Sequence, residues 1–177
     1  MGTADLDLMQ TPLDGEQLST RWRAMLADRG LAQVEGKVEL DVWGRIIVMS
    51  PVSLAHGGTA GKLSLLLMTQ LGGRAAPEVG VLTSAGVLSP DVVWCSEEFW
   101  RARRDEAPLQ VAPEICIEVA SPSNTIEQLR GKVRAYLAAG AKESWIGYPR
   151  SRRIEFHGSA GELQASSFQI DLSTLFD

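Results

Sequence analysis

The chain is short of the residues that staple a fold or mark a metal cage. It has two cysteines and two histidines. Cys95 and Cys116 each lie in an apolar run, and neither belongs to a C-x-x-C pair or to a Cys/His cluster of metal-site spacing. They are expected to be buried, reduced thiols. The longest apolar stretch, around Leu63 to Met68, is far too short to span a bilayer, and the N-terminus lacks the basic and apolar regions of a signal peptide. A cytoplasmic location without a membrane partner is therefore expected. No internal repeat, low-complexity tract or G-x-S-x-G elbow occurs, and Gly57-Gly58 and Gly72-Gly73 lack the lysine spacing of a phosphate-binding loop. Positive charge is scarce too. The net charge of −5 repels nucleic acid as a whole, so contact with it must rely on local basic patches or on a metal.

What the sequence does hold is enough for one ordinary core. Its 177 residues are 45% hydrophobic and 22% charged, which fits a single globular domain rather than a disordered chain. Residues 1–13 are expected to form a flexible tail and residues 14–177 the domain. Asp14 caps a first helix bearing Leu18, Trp22, Met25 and Leu26 at helical spacing and stopping by Gly30. Val38, Leu40 and Val42 alternate with Glu39 and Asp41, and Ile46 to Met49 forms the returning strand of a hairpin. Ser53 caps a second helix that ends at Gly72-Gly73. Strands are expected over Glu78 to Leu82 and Gly86 to Cys95, with Pro90 marking an edge or bulge. Ser96 opens a short helix, and Glu114 to Val119 reads as a strand with Glu114, Cys116 and Glu118 on one face. Thr125 and Gln128 form a capping box for a helix running to Gly140. Trp145 to Tyr148, Ile154 to Phe156 and Phe168 to Ile170 supply the last strands. This order implies an α/β or α+β fold, a single mixed sheet flanked by helices.

Mg²⁺ takes oxygen ligands, often one or two carboxylates, and fills its remaining positions with water and substrate phosphate. Asp91 at the start of one strand and Glu118 inside another would meet if those strands are neighbours. Glu118 is the odder of the two, because a carboxylate within Ile-Cys-Ile-Glu-Val is costly to bury without a cation or hydrogen bonds. Lys132, on the following helix, can reach the same place, position an attacking water and stabilise charge developing on a phosphoryl group. The reaction this constellation suits is phosphodiester hydrolysis. Read alone, Asp91 would be a turn residue, Lys132 a solvated helix lysine and Glu114 an exposed strand end, while His56 could either assist the site or cap its helix. Arg101, Arg103, Arg104, Arg150, Arg152 and Arg153 are candidate phosphate contacts.

The pieces Pro90-Asp91-Val92, Pro113-Glu114-Ile115-Cys116-Ile117-Glu118-Val119-Ala120-Ser121-Pro122-Ser123, and Lys132 with Tyr136, Gly140 and Glu143-Ser144-Trp145 resemble the Uma2 family. That family is similar to restriction endonucleases and belongs to the PD-(D/E)XK nuclease superfamily. The resemblance runs from about Glu39 to the end of the chain. It implies a restriction endonuclease-like core, a metal-dependent endonuclease acting on DNA, and catalytic Asp91, Glu118 and Lys132. Mg²⁺, or Mn²⁺ in its place, is expected on Asp91 and Glu118, with Glu39 as a candidate third metal-contacting acid. The superfamily's lysine two residues past the second acid is Ala120 here, and the Uma2 pattern puts the lysine at Lys132. A homodimer would suit cleavage of both strands. The alternative is a nuclease-fold module that has lost activity and serves in nucleic-acid or protein binding.

Overall fold

A computed structural model describes residues 11–30 and 36–177. Helix α1 (Gly15–Ala27) begins at a reciprocal cap, in which Asp14 accepts from the Gln17 backbone N–H at 2.8 Å and Gln17 accepts from that of Asp14 at 2.9 Å. It ends at Ala27, ahead of Gly30, because Asp28 is already extended. Of the tail expected over residues 1–13, the first ten lie outside the described residues. Leu13 donates its N–H to the Val42 carbonyl at 2.8 Å and packs against the Leu18–Trp22 cluster.

The hairpin forms as β1 (Val38–Leu40) and β2 (Ile46–Val48), turning where the Asp41 carboxylate accepts the N–H groups of Trp43 and Arg45 at 2.9 Å. After α2 (Leu54–Leu71) come β3 (Arg74–Ala76), β4 (Val81–Thr83), β5 (Gly86–Leu88) and β6 (Val92–Cys95). The expected single strand from Gly86 to Cys95 is thus two strands, broken at Ser89-Pro90-Asp91. Proline lacks the N–H that would continue the ladder, and the chain passes there from one sheet to another. The remaining elements are α3 (Glu97–Arg103), β7 (Ile115–Val119), α4 (Ile126–Ala138), β8 (Glu143–Tyr148), β9 (Arg153–Gly158) and β10 (Gly161–Leu163).

There are two sheets where one was expected. The smaller is antiparallel, in the order β2-β1-β5-β4, and α1 covers it through Leu18, Trp22 and Met25 on Leu40 and Val87. The larger is mixed, in the order β10-β9-β8-β7-β6-β3, with β7 and β8 parallel on either side of the α4 crossover. Period-two alternation sorts its two faces. Val92, Trp94, Ile115, Ile117 and Val119 meet Leu63 and Leu67 of α2, whereas Val93, Cys116 and Ile146 meet α4. The mixed α+β class with helices on the sheet is therefore the one present. Phe168 to Ile170 is not a strand: Phe168 and Ile170 pack as irregular chain on the α2 side of the core, and β10 supplies the last hairpin instead. No helix among the described residues is long and apolar enough to cross a membrane.

Candidate active site

The break at Pro90 sets the site. In the antiparallel register of β6 on β7, Val92 faces Ile117 and Val93 faces Cys116. Continued one residue past β6, this register puts Asp91 across from Glu118, at the junction of the two sheets. Both acids are buried, as is Glu39 on β1. α4 lies over the same face, its Thr125–Gln128 capping box fixing where the helix starts and hence where Lys132 and Tyr136, one turn apart, project.

Each carboxylate of the pair has one oxygen committed to the scaffold. Asp91 Oδ2 accepts the Val119 backbone N–H at 2.7 Å and lies 3.2 Å from His56 Nε2. Glu118 Oε1 accepts the Tyr136 hydroxyl at 2.6 Å and lies 3.5 Å from Lys132 Nζ. The other two oxygens turn to one cationic atom: Lys37 Nζ is 2.6 Å from Asp91 Oδ1 and 3.5 Å from Glu118 Oε2. Lys132 Nζ is held from behind by Glu39 Oε1 at 2.7 Å, and that same oxygen accepts the Ser89 backbone N–H at 3.0 Å. Two of the four lysines in the chain thus stand in this one cluster. His56 Nδ1, also buried, has no hydrogen-bond partner among the described residues.

The electrostatics follow from burial and pairing. Burial alone would raise the Asp91 pKa, but His56, the Lys37 charge and hydrogen bond, and the Val119 N–H together hold it well below the usual carboxylate range. For Glu118 burial wins, pushing its pKa up against the pull of Lys132 and Lys37. Burial also works against the Lys37 ammonium, yet Glu118 and Asp91 more than offset it and lift its pKa above that of an ordinary lysine. Burial lifts the Tyr136 hydroxyl too, reinforced by Glu118, so Tyr136 stays a proton donor. The cysteines take no part. Burial pushes the Cys95 thiol up to about 11 and Cys116 well above its ordinary value, and the pair is unbridged.

The cluster opens into a cleft of about 940 Å³ walled by the first turns of α2, by Gly36 and Lys37 beside Met49, Ser50 and Pro51, and by the hydroxyl-rich loop Ser121–Asn124. Lys37, His56, Asp91, Glu118 and Lys132 all line it. The donor set suits a hard divalent cation, since two carboxylate oxygens with their partners already anchored converge on a single positive atom. Among the described residues no group of three or more His, Cys, Asp or Glu forms a fuller cage. A cation here would hold to two carboxylates and complete its shell from water and substrate, as Mg²⁺ commonly does.

Asp91, Glu118, Lys132 and Glu39, singled out from sequence, are thus brought together, with Glu39 on the lysine rather than between the two acids. Glu114 is elsewhere, accepting the Ser96 hydroxyl at 2.7 Å at the start of α3. None of the six candidate arginines lines the cleft, and Arg103, Arg104, Arg152 and Arg153 are spent in ion pairs with Glu106, Asp105, Asp177 and Glu155. Lys37 and Tyr136 were missed as site residues. The available signals were that Lys37 alternates with Glu39 at strand spacing and that Tyr136 follows Lys132 by one helical turn.

The fold is shared with a solved protein: it superposes with a TM-score of 0.70 on a crystal structure titled a "putative nuclease belonging to DUF820" from Anabaena variabilis, at 14% identity, covering 93% of this chain and 98% of that one. No curated protein matches it in sequence. The model of the family Uma2, described as "Putative restriction endonuclease", matches residues 27–175, and the chain belongs to that family.

Proposed function

We propose that this protein is a divalent-metal-dependent endonuclease that hydrolyses phosphodiester bonds in DNA. One observation carries the reading: two buried carboxylates, each pinned by one oxygen, present their remaining oxygens to a shared cation at the floor of a cleft. Asp91 and Glu118 would hold Mg²⁺ or Mn²⁺. When bound, the cation lowers the pKa of a coordinated water and neutralises phosphoryl charge.

The protein's own groups do the rest. The Val119 N–H and His56 fix the Asp91 carboxylate, and Tyr136 fixes that of Glu118, so neither need reorganise as substrate arrives. Lys132 carries three N–H donors, and its contacts with Glu39 and Glu118 leave one free for the cleft. There it orients the attacking water and meets the negative charge that develops on the phosphoryl oxygens. Glu39 acts through Lys132 as a positioning residue. The Ser121–Asn124 loop offers hydroxyl and amide groups to the sugar-phosphate backbone without requiring basic arginines. A homodimer would present one such site to each strand of a duplex.

A second reading, a nucleic-acid- or protein-binding module without activity on the same fold, draws support in its protein-binding form from the net charge of −5, which disfavours tight association with a polyanion. Incubation of the purified protein with supercoiled DNA, single-stranded DNA and RNA, each with Mn²⁺, Mg²⁺ or EDTA, separates the two. Cleavage of DNA that requires the metal is the expected result. Intact substrates in every lane would favour the module, as a nucleic-acid binder if a mobility assay shows a complex and as a protein binder if it does not.

A further inference from the structure

Hydrolysis as proposed uses Lys132 but gives no role to the second lysine. Lys37 is the more deeply placed of the two, its side chain 11% exposed against 20% for Lys132. Among the described residues Glu39, Asp91 and Glu118 face two ammonium groups and the His56 ring, so three carboxylates share two lysines. Removing Lys37 would leave Asp91 Oδ1 and Glu118 Oε2 facing each other, buried and uncompensated, an arrangement that repels strongly in a low-dielectric site. The two lysines are not equivalent. Lys132 sits on the anchored oxygen of Glu118 and on Glu39, whereas Lys37 sits on both of the uncommitted oxygens.

We propose that Lys37 is a built-in surrogate cation, holding Asp91 and Glu118 together in the metal-free protein, and that a divalent ion binds only by displacing its ammonium. The inference rests on the metal-dependent reading above.

Local structure allows that exchange without movement of the backbone. The Lys37 carbonyl accepts the Met49 N–H at 2.8 Å, tying its main chain to the hairpin. Gly36 before it has φ of +114°, and a Cβ there would fall 2.1 Å from the Met49 carbonyl oxygen, so the chain is pressed against that strand. The side chain is different. Four methylene groups carrying a compact charge can swing the nitrogen into the adjoining cleft by rotamer changes alone, which a planar, bidentate arginine would do less readily. The metal-free site is thereby kept assembled, at the cost of metal affinity.

Two measurements test this. In the wild-type protein, reductive methylation followed by mass spectrometry reads the accessibility of each lysine, with Lys62 and Lys142 as internal references. Lys37 is expected to be protected in EDTA and modified at least roughly fivefold faster when Mn²⁺ is bound, the lower end of typical coupling between linked equilibria. By calorimetry, Lys37→Met is expected to bind Mn²⁺ about tenfold more tightly than wild type, and Lys37→Arg no more tightly. If wild type and Lys37→Met bind Mn²⁺ equally and Lys37 labelling ignores the metal, the inference is overturned while the metal site stands. Weaker binding by Lys37→Met would also overturn it, making Lys37 a supporter of the metal. If neither protein binds Mn²⁺, the metal-dependent reading falls and this inference with it. Should Lys37→Met fail to fold, the wild-type labelling decides.

Discussion

Replacing Tyr136 by phenylalanine removes a single oxygen from the deepest part of the site. The tyrosine is fully buried, and its hydroxyl donates to Glu118 Oε1 at 2.6 Å. Phenylalanine keeps the ring in its buried cluster with Val81, Val93 and Cys116, so no appreciable cavity opens. What is lost is a hydrogen bond to a buried carboxylate, worth about 1.5–3 kcal/mol, since Oε1 is left with only Lys132 at 3.5 Å. For a domain of this size each kcal/mol lowers Tm by about 2–4 °C, so a fall of roughly 3–12 °C is expected in EDTA. The same change frees the Glu118 carboxylate to rotate, so metal affinity should weaken by about tenfold while the fold, read by circular dichroism, stays native. Thermal melts and Mn²⁺ titration of Tyr136→Phe provide both numbers. A Tm within about 1 °C of wild type, with unchanged metal affinity, would refute the claim that this hydroxyl pins Glu118.

Two further outcomes follow from buried carboxylates. Asp91 has its pKa depressed below its ordinary value of 3.8 in the folded protein, so its contribution to stability is present above that value and lost as pH falls through the folded pKa. Denaturant titrations in EDTA between neutral and strongly acid pH should therefore show a shallower acid limb for Asp91→Asn than for wild type. The raised Glu118 contributes with the opposite sign, and the Asp91 charge is one cause of its rise, so the comparison is made in a Glu118→Gln background; equally steep limbs there would contradict the assignment. Glu143, buried at the start of β8, accepts Trp145 Nε1 at 2.7 Å, the Ser166 hydroxyl at 2.8 Å and the Ser167 N–H at 2.7 Å. Glu143→Ala should lower stability by about 3 kcal/mol or more in urea, and limited proteolysis should then cut within residues 164–177; an unchanged midpoint would show that the tail is held by its apolar contacts.

The parts of this molecule written in short-range chemistry were legible from sequence. Asp14 with Gln17, Ser53, Ser96, and Thr125 with Gln128 are caps whose hydrogen bonds are satisfied within three residues, so the helix starts could be read directly. The costly position of Glu118 in an apolar strand likewise pointed to a site. Less legible was what depends on partners far along the chain. The run from Gly86 to Cys95 is apolar throughout, and nothing local says that it changes sheets at Pro90. Phe168 to Ile170 alternates like a strand yet finds its apolar partners without a ladder. Lys37 lies 54 residues from Asp91 and 81 from Glu118, and its spacing from Glu39 signals a shared strand face without indicating which carboxylates that face would meet. The arginine clusters are candidate phosphate contacts by charge, with solvated loop charges as the alternative, and acidic partners, one of them 25 residues away, pair with four of the six.

The central claim is that Asp91, Glu118 and Lys132 form one metal-dependent hydrolytic centre. The measurement that tests it most directly is nicking of supercoiled plasmid in Mn²⁺ by wild type and by the near-isosteric variants Asp91→Asn, Glu118→Gln and Lys132→Met, each first shown to be folded. The account predicts nicking by wild type that EDTA abolishes and that each substitution lowers by about a hundredfold or more, the scale of removing one transition-state-stabilising group. Nicking that persists undiminished in all three folded variants would contradict it.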